Sequence, residues 1–329
     1  MDLQALYLAA IQAGMEADPR GAKAVRRLLE RNRRKYDGAS EKERRFLDPE
    51  ARDNPYADSR ILHDAQVGPI GEILAGIDIG VGEILLADRL NEKGRKINLV
   101  LAHHPWGAGS ARMSQAMEVQ ADLFHEVGVS LGAAEALVEK RMSEVSRRFA
   151  PSNHQQSVDA ARLLGLSMMC AHTVADNQVH TYLEGRIRER DPETLEDVVE
   201  LLMEEPEYVE AARQGAGPTI VQGSGSRRLG KIKLEMTGGT SGPKELFASM
   251  ATAGVTTIIG MHMSEDHLDE ARKHNINVLI AGHISSDNLG VNLLLDQLDA
   301  ARGKPFTVVE ASGFRRFPRP VKTKKKKEK

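Results

Sequence analysis

Four short apolar runs in this 329-residue chain stop at histidine: residues 97–102 at His103-His104-Pro105, 166–171 at His172, 256–261 at His262, and 277–281 at Gly282-His283. Asp176 and Asp287 each follow a histidine by four positions, in His172-Thr-Val-Ala-Asp176 and His283-Ile-Ser-Ser-Asp287. If a helix begins at the strand end, that spacing puts histidine and aspartate on one face. Imidazole nitrogen and carboxylate oxygen together suit borderline divalent ions such as zinc, iron, manganese or nickel. The absence of a cysteine cluster disfavours an iron–sulfur or structural zinc site. His103 and His104 point to opposite faces while in a strand, so they serve one site only where the strand ends, and Pro105 holds His104 extended there. Any one of these histidines alone reads as a hydrogen-bonded histidine. Together, His103, His104, Asp176, His283 and Asp287 exceed what one tetrahedral ion with an open position needs, and a carboxylate can bridge two ions, so a dinuclear centre is expected. His172 and His262 fit as supporting or proton-transfer groups.

Such donors need strand ends to hold them, and the chain supplies strands. From Gly71 onward, short apolar runs alternate with amphipathic helices, the pattern of a mostly parallel sheet covered on both faces. Strands are expected at 75–79, 97–102, 166–171, 218–222, 231–236, 256–261, 277–281 and 306–310. In open α/β sheets, sites lie beyond the carboxyl ends of such strands. The first 50 or so residues read as an accessory helical segment, broken at Asp18-Pro19. The divisions expected are a helical extension over 1–70, an α/β metal-binding core over 71–318 and a basic, solvated tail over 319–329. Gly128 suits a helix C-terminus and Ser264 a helix N-cap. The Gly-rich passage Met236-Thr-Gly-Gly-Thr-Ser-Gly-Pro-Lys244 is explained by a strand-to-helix turn with Ser241 as cap and Pro243 in the first turn. Its second reading is a phosphate cradle with Lys244 as charge partner.

Composition bounds the rest. A single cysteine, Cys170, cannot form an intramolecular disulfide, and the first ten residues have neither a basic nor a long apolar stretch, which places the chain in a reducing cytoplasm. No run approaches the roughly 20 apolar residues of a membrane span. Aromatic content of 4% offers few stacking platforms and disfavours nucleic acid as a partner. Trp106, directly after His-His-Pro, reads as packing at the rim of the site.

The run Asn98-Leu-Val-Leu-Ala-His103-His104-Pro105, the His172-Thr173 and Asp176 pair, and Ala281-Gly-His283 to Asp287 resemble the three signature segments of the Nif-three-like family, also called GTP cyclohydrolase I type 2-like. Ala75-Gly-Ile-Asp-Ile79 looks like that family's strand leading to its first helix, and the resemblance runs over about 71–317. It implies an α/β fold of mixed or parallel sheets flanked by helices, with two lobes, a dinuclear metal site between them and a toroidal homohexamer. Residue by residue it gives the ligand role to His103, His104, Asp176, His283 and Asp287. Asp287 stands where the family usually has glutamate, a shorter arm with the same charge. Three readings follow. One is a metal-dependent hydrolase of a phosphorylated or nucleotide-like small molecule, with His172 or His262 moving protons. The second is a non-catalytic metal chaperone or regulatory protein. The third is a structural interaction protein whose histidines are merely hydrogen-bonded.

Overall fold

The computed structural model describes residues 1–320, so the lysine-rich end from Val321 falls outside the described residues. Among the described residues, nine strands form two sheets. The first comprises β1 (Ser59–His63), β2 (Glu72–Gly76), β3 (Ile97–Ala102), β4 (Ser167–Ala171) and β9 (Thr307–Ala311), in the order β1-β4-β3-β2-β9. The second comprises β5 (Thr219–Gln222), β6 (Lys231–Glu235), β7 (Val255–Gly260) and β8 (Asn277–Ile280), in the order β5-β8-β7-β6. Neighbours run parallel except at one edge of each sheet, where β1 lies antiparallel to β4 and β5 antiparallel to β8. The mostly parallel pattern expected from periodicity takes the form of two mixed sheets flanked by helices, as the family resemblance implied. Every expected strand is present to within a few residues, and β1 is an addition inside the segment expected to be helical.

Both faces of each sheet are buried, which explains near-continuous apolar strands. In β3, Leu99 and Leu101 face a core built with Leu6, Ile11, Leu294 and Leu298, while Val100 and Ala102 face Ile84, Ala87 and Val158. In the second sheet, Ile259 and Leu279 pack with Val179, Leu183 and Leu289, and Ile258 and Val278 pack with Phe124, Phe247 and Met250. The N-terminal helix Leu3–Glu16 is thus part of the first core and not an accessory to it.

Two long helices carry the chain between the sheets. Thr173–Arg190 leaves β4 toward the second sheet, and His283–Arg302 leaves β8 and returns to β9 in the first. They approach at Gly290, where a Cβ would lie 2.6 Å from the Ala175 carbonyl oxygen, so only glycine lets the backbones come this close. Their N-termini, with His172 and His283, consequently meet.

Local expectations fared unevenly. Gly128 does end the helix Val119–Glu126 with φ +93°. Ser264 is the N-cap residue of Glu265–Lys273, as expected, although its hydroxyl meets His267 Nδ1 at 2.6 Å and bonds no amide. Ser241 does not stand at a cap position. Pro243 sits at the entrance of the short Lys244–Leu246 turn, and Lys244 Nζ is bound to Asp266 at 2.9 Å in an exposed ion pair. Arg319, the first residue of the expected tail, is held by Glu205 and Glu207 at 3.0 and 2.6 Å. No helix among the described residues is long and apolar enough to cross a membrane.

Candidate metal centre

The strand that carries two ligand-type residues ends where it should. β3 stops at Ala102, and His103 and His104 continue into the turn with amides bound to the Gly76 and Ile77 carbonyls beyond β2. His172 follows β4 and opens the helix that carries Asp176. Gly282, with φ +111°, turns the chain from β8 into the helix that carries His283 and Asp287. A residue with a side chain adopts that backbone only under strain. The result is one cluster in which three groups, His103–His104–His172, His104–His283–Asp287 and His103–Asp176–Asp287, each bring their ligand atoms within 4.8 Å of one another.

Each histidine that has a second partner turns Nδ1 toward it and Nε2 into the cluster. His103 Nδ1 meets the Ala171 carbonyl at 3.2 Å, His104 Nδ1 the Asp78 carboxylate at 2.6 Å, and His172 Nδ1 the Asp58 carboxylate at 2.8 Å. On the inner side, His103 Nε2 lies 3.5 Å from Asp176 and 3.4 Å from Asp287 Oδ1. His104 Nε2 and His283 Nε2 lie 3.4 and 3.5 Å from Asp287 Oδ2. Asp287 thus turns one oxygen to each side of the cluster.

None of those inner contacts completes a hydrogen bond at the atoms that are most deeply buried: His103 Nε2, Asp176 Oδ1 and both Asp287 oxygens are buried without a partner. Each such orphan costs about 1–3 kcal/mol, more when charged, and four facing one another are what a cation would satisfy. The donor set fits borderline divalent ions.

Electrostatics set the same groups apart. Burial opposes charge on Asp287, yet His103, His104 and His283 hold it far below the ordinary carboxylate range. Burial pushes Asp176 well above that range, with the Asp287 and Asp58 carboxylates adding to it. Burial lowers His283 to about 4, whereas on His104 the Asp287 and Asp78 carboxylates outweigh burial and raise it to about 9. These opposed shifts among contacting groups are typical of functional sites.

Of the seven side chains singled out from sequence, six fall in the ligand groups, including His172. His262 does not: its ring lies 4.9 Å from that of His283, on the edge of a neighbouring cavity. Sequence reading missed Asp58 and Asp78. Asp78 fell inside the strand expected at 75–79, and only the end of β2 at Gly76 puts it past the strand. Asp58 had no visible signal, because it lies 114 positions from His172 and just before the overlooked β1. Buried completely, it also accepts from the Thr173 hydroxyl at 2.7 Å, and although burial opposes its charge, His172 and Thr173 hold its carboxyl below the usual range. Trp106 packs against the face of β3 and β4 that carries Val100, Ala102 and Cys170.

No family model and no curated protein matches the chain. Solved structures do. The crystal structure of a NIF3 superfamily protein from Sphaerobacter thermophilus is similar with a TM-score of 0.66 and 26% identity, over 78% of this chain and 92% of that one. Reduced HcgD from Methanocaldococcus jannaschii is more distant, with a TM-score of 0.48 and 11% identity over 77% and 88%. The motifs read from the sequence and the fold agree: this chain has the α/β fold of NIF3 superfamily structures, with a His/Asp cluster able to bind metal.

Proposed function

We propose that His103, His104, Asp176, His283 and Asp287 hold two divalent metal ions in a hydrolase-type centre that acts on a small molecule. The observation that carries this reading is the set of four buried, unpartnered donor atoms on His103, Asp176 and Asp287, arranged so that the two oxygens of Asp287 face different histidines. His172 Nε2, 3.9 Å from Asp176, is available as a further donor. Asp78 and Asp58 orient the rings of His104 and His172, and such partners also raise ligand basicity. Divalent ions held by these residues would supply Lewis acidity, both to a water and to the bond it attacks. One side of the cluster is open, with the His283 side chain 41% and His104 26% exposed against 0% for His103, and that open side is where a substrate enters. His262, beside His283 and without a carboxylate partner among the described residues, is placed to move a proton to or from it. The same openness would suit a carrier that hands its ion on, the alternative reading.

The test is elemental analysis of protein purified without chelator or a nickel column. About two ions per chain are expected, with His104→Ala and Asp287→Ala each lowering the content. Unchanged content in both variants, or no uptake of zinc, iron or manganese by the parent, overturns the reading. Sizing the same preparation tests the hexamer that the family resemblance implies.

A further inference from the structure

Beside the cluster lies a cavity of about 50 Å³ whose wall includes Asp176, His262, Thr237, Ser241, Phe124 and Lys233. Lys233 is the unusual member. It points inward from β6, is 4% exposed, and has no carboxylate within ion-pair distance among the described residues. Its Nζ donates only to the Leu234 carbonyl at 3.3 Å and sits 4.9 Å from the centre of the Phe124 ring. Glu235 of the same wall and Glu126 attract it only from beyond ion-pair distance, and an ammonium buried without a direct partner is costly. The roof is the Gly-rich loop after β6, fixed by Gln120 Nε2, which donates to the Gly238 and Thr240 carbonyls at 2.6 Å. Gln120 Oε1 is itself buried without a partner. Gly242 keeps the space open, since a Cβ there would lie 2.8 Å from that oxygen and 3.0 Å from Phe124. On the far side, Thr240, Ser241 and His262 also line an outer cavity of about 590 Å³ that carries Arg141 and Arg148.

We propose that the inner cavity is an oxyanion subsite of the metal centre, in which Lys233 holds a phosphate-type group of the ligand. The space is of the size of one such group, and the outer cavity, where Arg141 is paired with Glu144 and Lys244 with Asp266, leads to it. Burial lowers the Lys233 pKa, and an anion at hydrogen-bond distance would restore the charge. The glycine loop is thus part of an anion site after all, with the strand lysine beneath it in place of Lys244. The subsite rests on the metal-centre reading for its reacting partner but not for its own chemistry.

The experiment is calorimetric titration of inorganic phosphate into the full chain, metal-loaded and metal-stripped, for the parent and for Lys233→Met, with metal content and melting temperature measured on each. Methionine matches the lysine stem and removes an unpaired buried charge, so the variant should melt no lower than the parent. Lys233→Gln serves if the methionine protein does not fold. Phosphate affinity is expected to fall at least tenfold in the variant, in both metal states, with metal content unchanged. Equal affinity in parent and variant, or no phosphate uptake by the parent, overturns the subsite even where both ions are present. Lysine-dependent phosphate uptake in protein that takes up no metal upholds the subsite and sinks the metal reading alone.

Discussion

Asp78 is exposed and sits at the rim, yet the geometry gives it control over a ligand. Its carboxylate takes Nδ1 of His104, leaving Nε2 for the cluster, and with Asp287 it raises the metal-free His104 to about 9 from an ordinary 6.5. Between those two values the free site therefore carries a proton that a metal must expel, so metal affinity should climb with pH through this window and level off near 9. Asp78→Asn should end the climb at lower pH, because the ring loses part of what raises it. On the plateau the variant should still bind about 10–100-fold more weakly, since the ring is no longer aimed. Zinc titrations from pH 6 to pH 9.5 or so, in buffers of different ionisation enthalpy, read both effects. A variant with the parent's proton release would break the link between Asp78 and His104.

At the scale of elements, the site exists because two helices that belong to different sheets start side by side. Asp58, just before β1, accepts from the Thr173 hydroxyl and so ties the start of Thr173–Arg190 to an edge strand. The tight crossing at Gly290 then sets how deep His283–Arg302 can sit. Gly290→Ala would push a methyl against the Ala175 carbonyl, an overpacking expected to cost about 3 kcal/mol. Because Ala175 adjoins Asp176, and Gly290 lies one turn past Asp287, the same change should loosen the cluster. The expected result is a lower urea midpoint together with reduced metal content. Loss of stability with full metal content would mean that the helix crossing and the site are independent.

For the whole molecule, the N-terminal helix is the clearest departure from a reading by segments. Leu6 is fully buried among residues of the first sheet and of both long helices. Leu6→Ala should cost about 2–5 kcal/mol by urea denaturation, whereas a detachable extension would show almost no change. Much of the cluster was legible beforehand: residue type, strand-end position and spacing singled out five expected ligands and His172 as a supporting group, and the four-residue spacings put Asp176 and Asp287 on helices that begin at strand ends. These features are local, fixed by backbone periodicity and by glycine or proline at a turn, so a sequence carries them openly. Tertiary structure alone decided that the strands divide into two sheets, that β1 and β5 close one edge of each, and that Asp58 and Lys233 join the site. Strand partners are chosen by which apolar faces can be buried together across long stretches of chain. A buried aspartate or lysine that meets its neighbour only through that packing leaves no spacing to read.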